Sequence, residues 1–398
     1  MALTTVSSDR LSTNVKNTNF TAAEKQDLTN DILPLATQFG QSKNLIINGA
    51  MQVAQRGTSS TSAGYQTVDR IKVGLAGNDE SPTLSQADVA SGTTPYTSGF
   101  RKAFKITNGN QTGGASAGDT LEFHTRLEGQ DIANSGWNYK SASSFVTLSF
   151  WIKSSVAQTF PGYLHTQSNP EYIFPFETGS LTADTWTKIT KTIPGNSNLV
   201  FDNDNGFGLK LAFTAFRGTD FTDNSVTYDA WAAYSSGARS KDQTTTWYTT
   251  NDATLECTGI QLEVGSVATD FEHRSFAQEL ALCERYFFSV TVDNADYPGC
   301  YTGGMARGGH FFWMVHFPVA MRTNPTYTGV SGNGQAYGDG DSSVFANSTA
   351  ILEGSSTTPN PRGQGMRKTS AGGSMSNGNG YMYRFSGDTN VLQFSAEL

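Results

Sequence analysis

The sequence predicts an all-β protein: a jelly-roll-like β-sandwich followed by a smaller C-terminal β-domain, with a short N-terminal helix and one linking helix. Three observations predict it. Gly, Ser, Thr and Asn make up about two fifths of the 398 residues, while only 16% are charged, against about 25% in a typical soluble domain. Aromatic residues reach 12%, and low charge with many aromatics is the reverse of a disordered composition. Strand-length apolar runs bounded by Gly, Asn and Ser recur over residues 44–274 without a convincing helix between them. The Ala, Glu, Lys and Leu enrichment of a helical bundle is missing, and no repeat of fixed period suggests a solenoid or propeller.

The elements follow in order. Residues 1–43 read as an arm and helix: Thr21 and Glu24 form a capping box, Leu28, Ile32 and Leu35 follow at near-helical spacing, and Pro34 ends the run. Such a helix cannot bury its stripe alone, so it docks on a partner, on copies of itself, or on its own chain's main domain. Residues 44–274 form the sandwich. Leu45-Ile46-Ile47 reads as a short strand and Phe145–Ile152 as a long one. Leu209, Leu211 and Phe213 alternate with Lys210 and Ala212 after the Asn205-Gly206 turn. Ser275 and Gln278 open a second capping box over the linking segment 275–287, where Phe276, Leu280, Cys283 and Phe287 form an apolar stripe suited to an oligomer contact. Residues 288–398 read as the second β-domain, with strands at Tyr286–Val292, His310–Phe317 and Val391–Phe394 among Gly-, Ser- and Asn-rich connections.

Charge and cysteine usage exclude several roles. A net charge of −8 and a pI of about 5.2 leave no basic stripe for a nucleic-acid backbone. No window approaches the roughly 20 apolar residues of a membrane span, and the N-terminus lacks the basic and apolar regions of a secretory leader. Cys257, Cys283 and Cys300 are too widely spaced for a zinc site or disulfide framework and read as buried free thiols.

Several segments, in one order, resemble bacteriophage tail-fibre and receptor-binding proteins with a carbohydrate-binding-like β-sandwich. Asn44-Leu45-Ile46-Ile47-Asn48-Gly49 through Gln55-Arg56-Gly57 is similar to that family's opening motif, and Val68-Asp69-Arg70 to its Ala-Asp-Arg step, with Val in place of Ala. Thr147–Ser155, Trp186-Thr187-Lys188, Ile193-Pro194-Gly195 and Asp204-Asn205-Gly206 follow. The most specific stretch is Thr258–Gly265, running on through Ala268–Arg274 and Glu279–Tyr286, with Phe317–Arg322 beyond it. The resemblance spans about residues 44–330 and implies a virion structural protein: a homotrimeric tail fibre or receptor-binding protein, assembled in the host cytoplasm. Through its N-terminal region it would join other virion proteins, and its β-domains would meet host surface glycan. A capsid decoration, head-fibre or tail adaptor protein and a glycan-degrading tailspike are the alternatives.

Candidate chemistry is confined to binding. Sugar recognition needs flat apolar faces and planar polar groups, and the loop-borne pairs Trp137 and Tyr139, Trp231 and Tyr234, and Trp247 and Tyr248 offer them. Tyr337, Tyr381 and Tyr383 are further candidates in the C-terminal domain, while Trp151 and Trp186 read as core between the sheets. Leu28, Ile32, Leu35, Phe276, Leu280 and Phe287 are the candidate attachment and oligomer residues. No enzyme is expected: Glu122, Glu128 and Asp131 are the nearest approach to a carboxylate cluster and read as a solvated face. Asp202–Gly206 lacks the spacing of a calcium loop and reads as a turn. His310 and His316 share a strand face and read as ordinary histidines. No metal and no cofactor are expected.

Overall fold

The computed structural model describes residues 43–291, 302–307, 310–329, 333–338, 341–345, 351–352, 361–369, 380–386 and 391–398. The chain divides into two units, Met1–Lys43 and Asn44–Leu398, and every element below belongs to the second. Leu28, Ile32, Leu35 and Cys300 lie outside the described residues.

Twelve strands build the sandwich. They are β1 (Ser59–Ser60), β2 (Lys72–Ala76), β3 (Thr83–Asp88), β4 (Lys102–Thr107), β5 (Thr120–Glu128) and β6 (Phe145–Ser154). Then come β7 (Thr159–Thr166), β8 (Tyr172–Ser180), β9 (Thr187–Pro194), β10 (Phe207–Arg217), β11 (Ala232–Ala233) and β12 (Thr254–Val264). The first sheet runs β1-β3-β4-β12-β6-β9 and the second β11-β8-β7-β10-β5-β2. The chain passes back and forth between them, as expected of a jelly-roll-like sandwich.

Alternation explains the core. Val146, Leu148, Phe150 and Ile152 of β6 and Leu209, Leu211 and Phe213 of β10 point into the space between the sheets, and each is buried. Burying one such side chain stabilises the fold by about 1.5–3 kcal/mol, so the long strands with four inward residues dominate the packing. Trp151, one residue out of phase with Phe150, takes the opposite face. It and Trp186 are half-buried on a satellite cluster of Ala50, Val89, Phe100 and Ala103, outside the first sheet. The expectation that these two indoles fill the core between sheets is therefore corrected: the two-residue period assigns that place to Phe150 and Ile152. Leu45–Ile47 is likewise not a strand but the start of a turn, in which Asn48 adopts φ 60°.

Short helices punctuate the strands: α1 (Thr94–Thr97), α2 (Gly129–Ala133), α3 (Thr246–Thr249) and α4 (Phe276–Glu284). The Ser275–Gln278 capping box is formed in full. The stripe on α4 differs from the one expected. Phe276 is exposed, Leu280 is half-buried, and Phe287 is buried in a following strand; the covered helix residues are Glu279 and Cys283. The Phe287 ring lies under Arg56, 3.5 Å from the guanidinium carbon, so this chain's own packing occupies it. Cys257 and Cys283 are buried free thiols.

Beyond α4 the strands are β13 (Phe287–Thr291), β14 (Thr302–Arg307), β15 (His310–His316), β16 (Thr326–Gly329) and β17 (Asn333–Gly338). The last five are β18 (Asp341–Phe345), β19 (Ile351–Leu352), β20 (Gly363–Thr369), β21 (Gly380–Ser386) and β22 (Val391–Ser395). A three-stranded sheet, β13-β22-β16, packs Phe288, Phe317 and Phe394 together, with Phe317 and Phe394 ring centres 5.0 Å apart. A seven-stranded sheet runs β18-β17-β21-β14-β15-β20-β19. Tyr337, Tyr381 and Tyr383 lie on its strands β17 and β21, and His310 and His316 on β15.

The last residues dock on the sandwich. Glu397 forms ion pairs with Arg56 and Arg70, and Tyr65 Oη donates to the Leu398 carbonyl at 3.0 Å. Arg322 bonds the carbonyls of Ala396 and Glu397.

Candidate functional site

Of the six loop-borne aromatics, three are core. Trp247 and Tyr248 are fully covered, and Trp137 is 3% exposed. Trp247 Nε1 donates to the Thr254 carbonyl at 3.0 Å, and Tyr248 stacks on Phe216 with ring centres 4.2 Å apart. Trp137 Nε1 donates to the Ser144 carbonyl at 3.2 Å. Polar neighbours in sequence did not keep these rings exposed, because backbone carbonyls satisfy both indole N–H groups inside the fold. Their assignment as ligand-facing residues is corrected. Tyr139 packs edge-on against Phe201, and Trp231 packs on Phe174 while donating to the Pro194 carbonyl at 2.7 Å. Only Tyr234 lies over a sheet face, stacked on His165 with centres 3.9 Å apart.

The ordered motifs meet along one seam. Asn44 Oδ1 accepts from Ile46 N and Leu262 N, both at 3.0 Å, and Asn48 Nδ2 donates to the Val53 and Asp69 carbonyls, both at 2.9 Å. Arg274 donates to the Asn44 and Ile46 carbonyls and pairs with Glu272 and Glu279; Glu279 in turn accepts from Asn48 N. A Cβ on Gly49 would stand 2.1 Å from the Ile260 carbonyl oxygen, so only glycine fits there. Arg70, held at φ 68°, lies beneath the Tyr286 ring, donates to the Arg126 carbonyl and pairs with Glu397. Glu128 accepts from Arg285, at 2.6 and 2.7 Å, and from Tyr286 Oη at 2.6 Å. These pairings hold the Glu128 carboxyl below the usual range against the opposing effect of its burial. Nearly every charge here is matched, which makes the seam a structural frame.

The second sheet's outer face is different. In β5 Leu121, Phe123 and Leu127 face the core, so Glu122, His124 and Arg126 face out. In β10 Lys210, Ala212 and Thr214 face out, and a register shift between Thr214 and Phe216 keeps Phe216 inside while turning Arg217 outward. Tyr163 and His165 come from β7 and Lys72 from β2. Strand pairing then sets Lys72 opposite His124, Arg126 opposite Lys210, and Lys210 opposite His165.

Glu122 is the hub. It accepts from Tyr163 Oη at 2.9 Å and pairs with Lys210 and Arg217, while Lys210 Nζ also donates to Tyr163 Oη at 2.8 Å. Tyr163, Ile173 and Ala212 form a small apolar patch under Tyr234, whose Oη accepts from Arg239 Nε at 3.1 Å. Around the hub, polar atoms are left over. Arg217 is 2% exposed, yet its Nε and Nη1 bond nothing among the described residues; nor do Thr214 Oγ1 and Arg126 Nε. His124 is 4% exposed and neither ring nitrogen makes a hydrogen bond, although Nδ1 stands 3.4 Å from Glu122 Oε1. Water completes buried orphans of this kind, and Arg56 Nη1 and Arg70 Nε along the seam are left over in the same way.

The electrostatics agree. Burial pushes His124 down to about 4, helped by Lys210 and Arg126, so its ring is neutral at pH 7 and offers one donor and one acceptor. Burial opposes ionisation of Glu122, but the imidazole beside it and the Arg217 and Lys210 cations outweigh that and hold it well below the usual carboxylate range. Burial also lowers Lys72, and repulsion from Arg126 and Lys210 adds to it. Glu122 and Glu128 are thus buried and paired rather than solvated, and only Asp131 of that trio is exposed. The missed signal was the strict alternation of β5, where every outward residue from 122 to 128 is ionisable in a chain otherwise poor in charge.

The first sheet's outer face carries Trp151 and Trp186, but its neighbouring charges are paired, Lys153 with Glu256 at 2.9 Å and Lys102 with Asp88 at 2.5 Å. Among the described residues no group of three His, Cys, Asp or Glu side chains is placed to hold a metal ion. Asp202–Gly206 is a turn in which Asp204 Oδ1 accepts from Gly206 N at 2.9 Å.

No protein-family model matches the chain, and no curated protein matches it significantly. Several solved structures share part of its shape. The enzymatically active domain of bacteriophage CBA120 tailspike protein 4 is 8% identical over 56% of this chain, with a TM-score of 0.30, and the match spans 21% of that chain. The N-terminal cellulose-binding domain of Cellulomonas fimi β-1,4-glucanase C is 10% identical, covering 55% of this chain and 99% of its own, with a TM-score of 0.26. A family 11 carbohydrate-binding module from Clostridium thermocellum, in complex with a mixed-linked tetrasaccharide, is 11% identical, covering 53% and 98%, with a TM-score of 0.25. At such identities and scores none of them identifies this chain's family or its ligand.

Proposed function

We infer that the chain is a non-catalytic, glycan-binding structural protein of a phage virion, acting as a trimeric tail fibre or receptor-binding protein. The observation that carries the binding reading is the second sheet's outer face, where the partly exposed Lys72, Arg126 and Lys210 stand among the partly exposed rings of Tyr65 and Tyr234. Sugar hydroxyls are suited to such groups, because each hydroxyl can both donate and accept. The virion setting rests on the ordered motifs from Asn44 to Arg322 and their resemblance to phage fibres. Trimers and several fibres per particle would turn shallow sites into strong adhesion through avidity.

The carboxylates favour binding without cleavage. Glu122 and Glu128 lie six residues apart on one strand face, about 20 Å, whereas glycosidic catalysis needs two acids within about 5–9.5 Å. Each is also locked in ion pairs, so neither of the two is free to carry a proton. The test is adsorption of the purified full chain to host cells and to a glycan array, alongside polysaccharide chain length after incubation and oligomer mass by light scattering. Saturable binding with unchanged chain length and a trimeric mass is expected. Shortened polysaccharide would overturn the non-catalytic reading, and binding to neither cells nor glycans would overturn the receptor-binding one.

A further inference from the structure

We propose that the second sheet's outer face binds an acidic saccharide, its carboxylate or sulfate seated among Lys72, Arg126 and Lys210. The inference rests on the glycan-binding reading above and names the ligand class for the same site. Strand register carries it. Arg126 stands directly opposite Lys210 on the neighbouring strand, and Lys72, opposite His124, is diagonal to Arg126 across β2 and β5. Like charges directly opposite in a sheet destabilise it. Of the three, only Lys210 has a carboxylate partner among the described residues, and that carboxylate, Glu122, is already shared with Arg217.

The outward strand residues of this face supply the partly exposed cations Lys72, Arg126 and Lys210, with Arg217 buried against Glu122; the other carboxylates are Glu177, Glu128, which Arg285 neutralises, and Glu171 at the end of β8, which bonds His165. That excess sits on a chain whose net charge is −8, so it is a local arrangement rather than a general surplus. An anion brought between the cations would turn their mutual repulsion into attraction. The planar Arg126 fork and the Lys72 and Lys210 ammonium groups suit a carboxylate or sulfate. Tyr65, whose ring centre is 5.4 Å from Lys72 Nζ, and Tyr234 at the opposite side offer partly exposed rings.

The test uses the full chain on a panel of printed carboxylated, sulfated and neutral glycans, with the Lys72→Met/Arg126→Met double variant beside the parent. Binding to acidic members is expected, weakening as salt is raised. The double variant should bind them about ten- to a hundredfold more weakly, the cost of two charge-assisted contacts. Its melting temperature should stay close to the parent's, since the change breaks no ion pair and the repulsion it removes offsets the lost contacts of Arg126 with the Phe207 ring and of Lys72 with Tyr65. Should the double variant melt lower, the single Lys72→Met variant at the sheet edge carries the same comparison. Preference for carboxylated over sulfated members, or the reverse, sorts the two acid groups, and either supports the proposal. Equal binding of neutral and acidic members, unchanged in the variant, would overturn the acidic assignment while leaving glycan binding in place. Acidic binding that survives in the variant would overturn its location. A parent that binds no glycan of any class would overturn both readings.

Discussion

The seam and the second sheet's outer face are both built from buried charges, and they treat them in opposite ways. Along the seam Arg274, Glu279, Arg70, Glu397, Glu128 and Arg285 each have an opposite charge in reach. On the sheet face Arg126 confronts Lys210, and neither Arg126 nor Lys72 has a carboxylate partner among the described residues. Burial therefore does not separate frame from site in this molecule; the degree of pairing does. A matched charge holds segments together, whereas an unmatched one costs stability and is explained by what it binds.

That contrast can be broken by mutation. The largest effect is expected at Arg274→Met, which leaves Glu279 buried without its cation; a loss of about 3–5 kcal/mol would show in urea unfolding. A loss below about 1 kcal/mol would remove the seam's structural role. Next comes the pH dependence of His124. Its folded value of about 4 lies below the unfolded 6.5, so the unfolded chain binds a proton between those values that the folded chain refuses. Stability from this group is thus fully present above pH 6.5 and falls as pH drops towards 4, by on the order of 3 kcal/mol. His124→Gln should match the parent near pH 7 and unfold at higher urea near pH 4. Parallel pH curves for the two proteins would contradict the buried neutral imidazole. Asp69, raised to about 6 by burial, works in the opposite direction over the same range, so only the difference between the two proteins isolates His124.

Gly49→Ala should cost about 1–3 kcal/mol, because the new methyl meets backbone, the Ile260 carbonyl, rather than a mobile side chain; a thermal melt reads it. The smallest effect sharpens the comparison most. Lys72→Met should change stability by less than about 1 kcal/mol, in the stabilising direction, because it removes repulsion across the β2–β5 pair. A clear destabilisation in a denaturant titration would mean that Lys72 is part of the frame.

Much of the frame was legible in the sequence. The motifs from Asn44 to Tyr286 are made of residues that each take a definite structural role. Asn48 takes a left-handed turn while its amide bridges two carbonyls, and Ser275 and Gln278 cap α4 reciprocally. Strand alternation gave the inward face of β10 correctly, whereas on β6 Trp151, expected in the core, yields that place to Phe150 and Ile152. The site was not legible, for two physical reasons. Exposure of an aromatic depends on which turn folds over it, so Trp137, Trp247 and Tyr248 looked available while Tyr163 and Tyr65 drew no notice. The cluster of cations exists only through register: Lys72, Arg126 and Lys210 come from three strands far apart in the chain, and nothing local couples them. The charge on β5 could be seen, but a solvated face and a covered one have the same alternation until neighbours are known.

The three-stranded sheet has a further consequence. Thr291, where β13 ends, pairs directly with Val391, where β22 begins, and β16 lies on β22's other edge. The seven-stranded sheet is therefore entered twice from this small sheet, by β14–β15 between β13 and β16 and by β17–β21 between β16 and β22, while Glu397 and Arg322 tie the end of the chain to the sandwich. Interchangeability follows for each excursion by itself: β14–β15, or β17–β21, can be exchanged for a segment of different sequence and strand number while Phe317, Arg322 and β16 keep their contacts with the end of the chain.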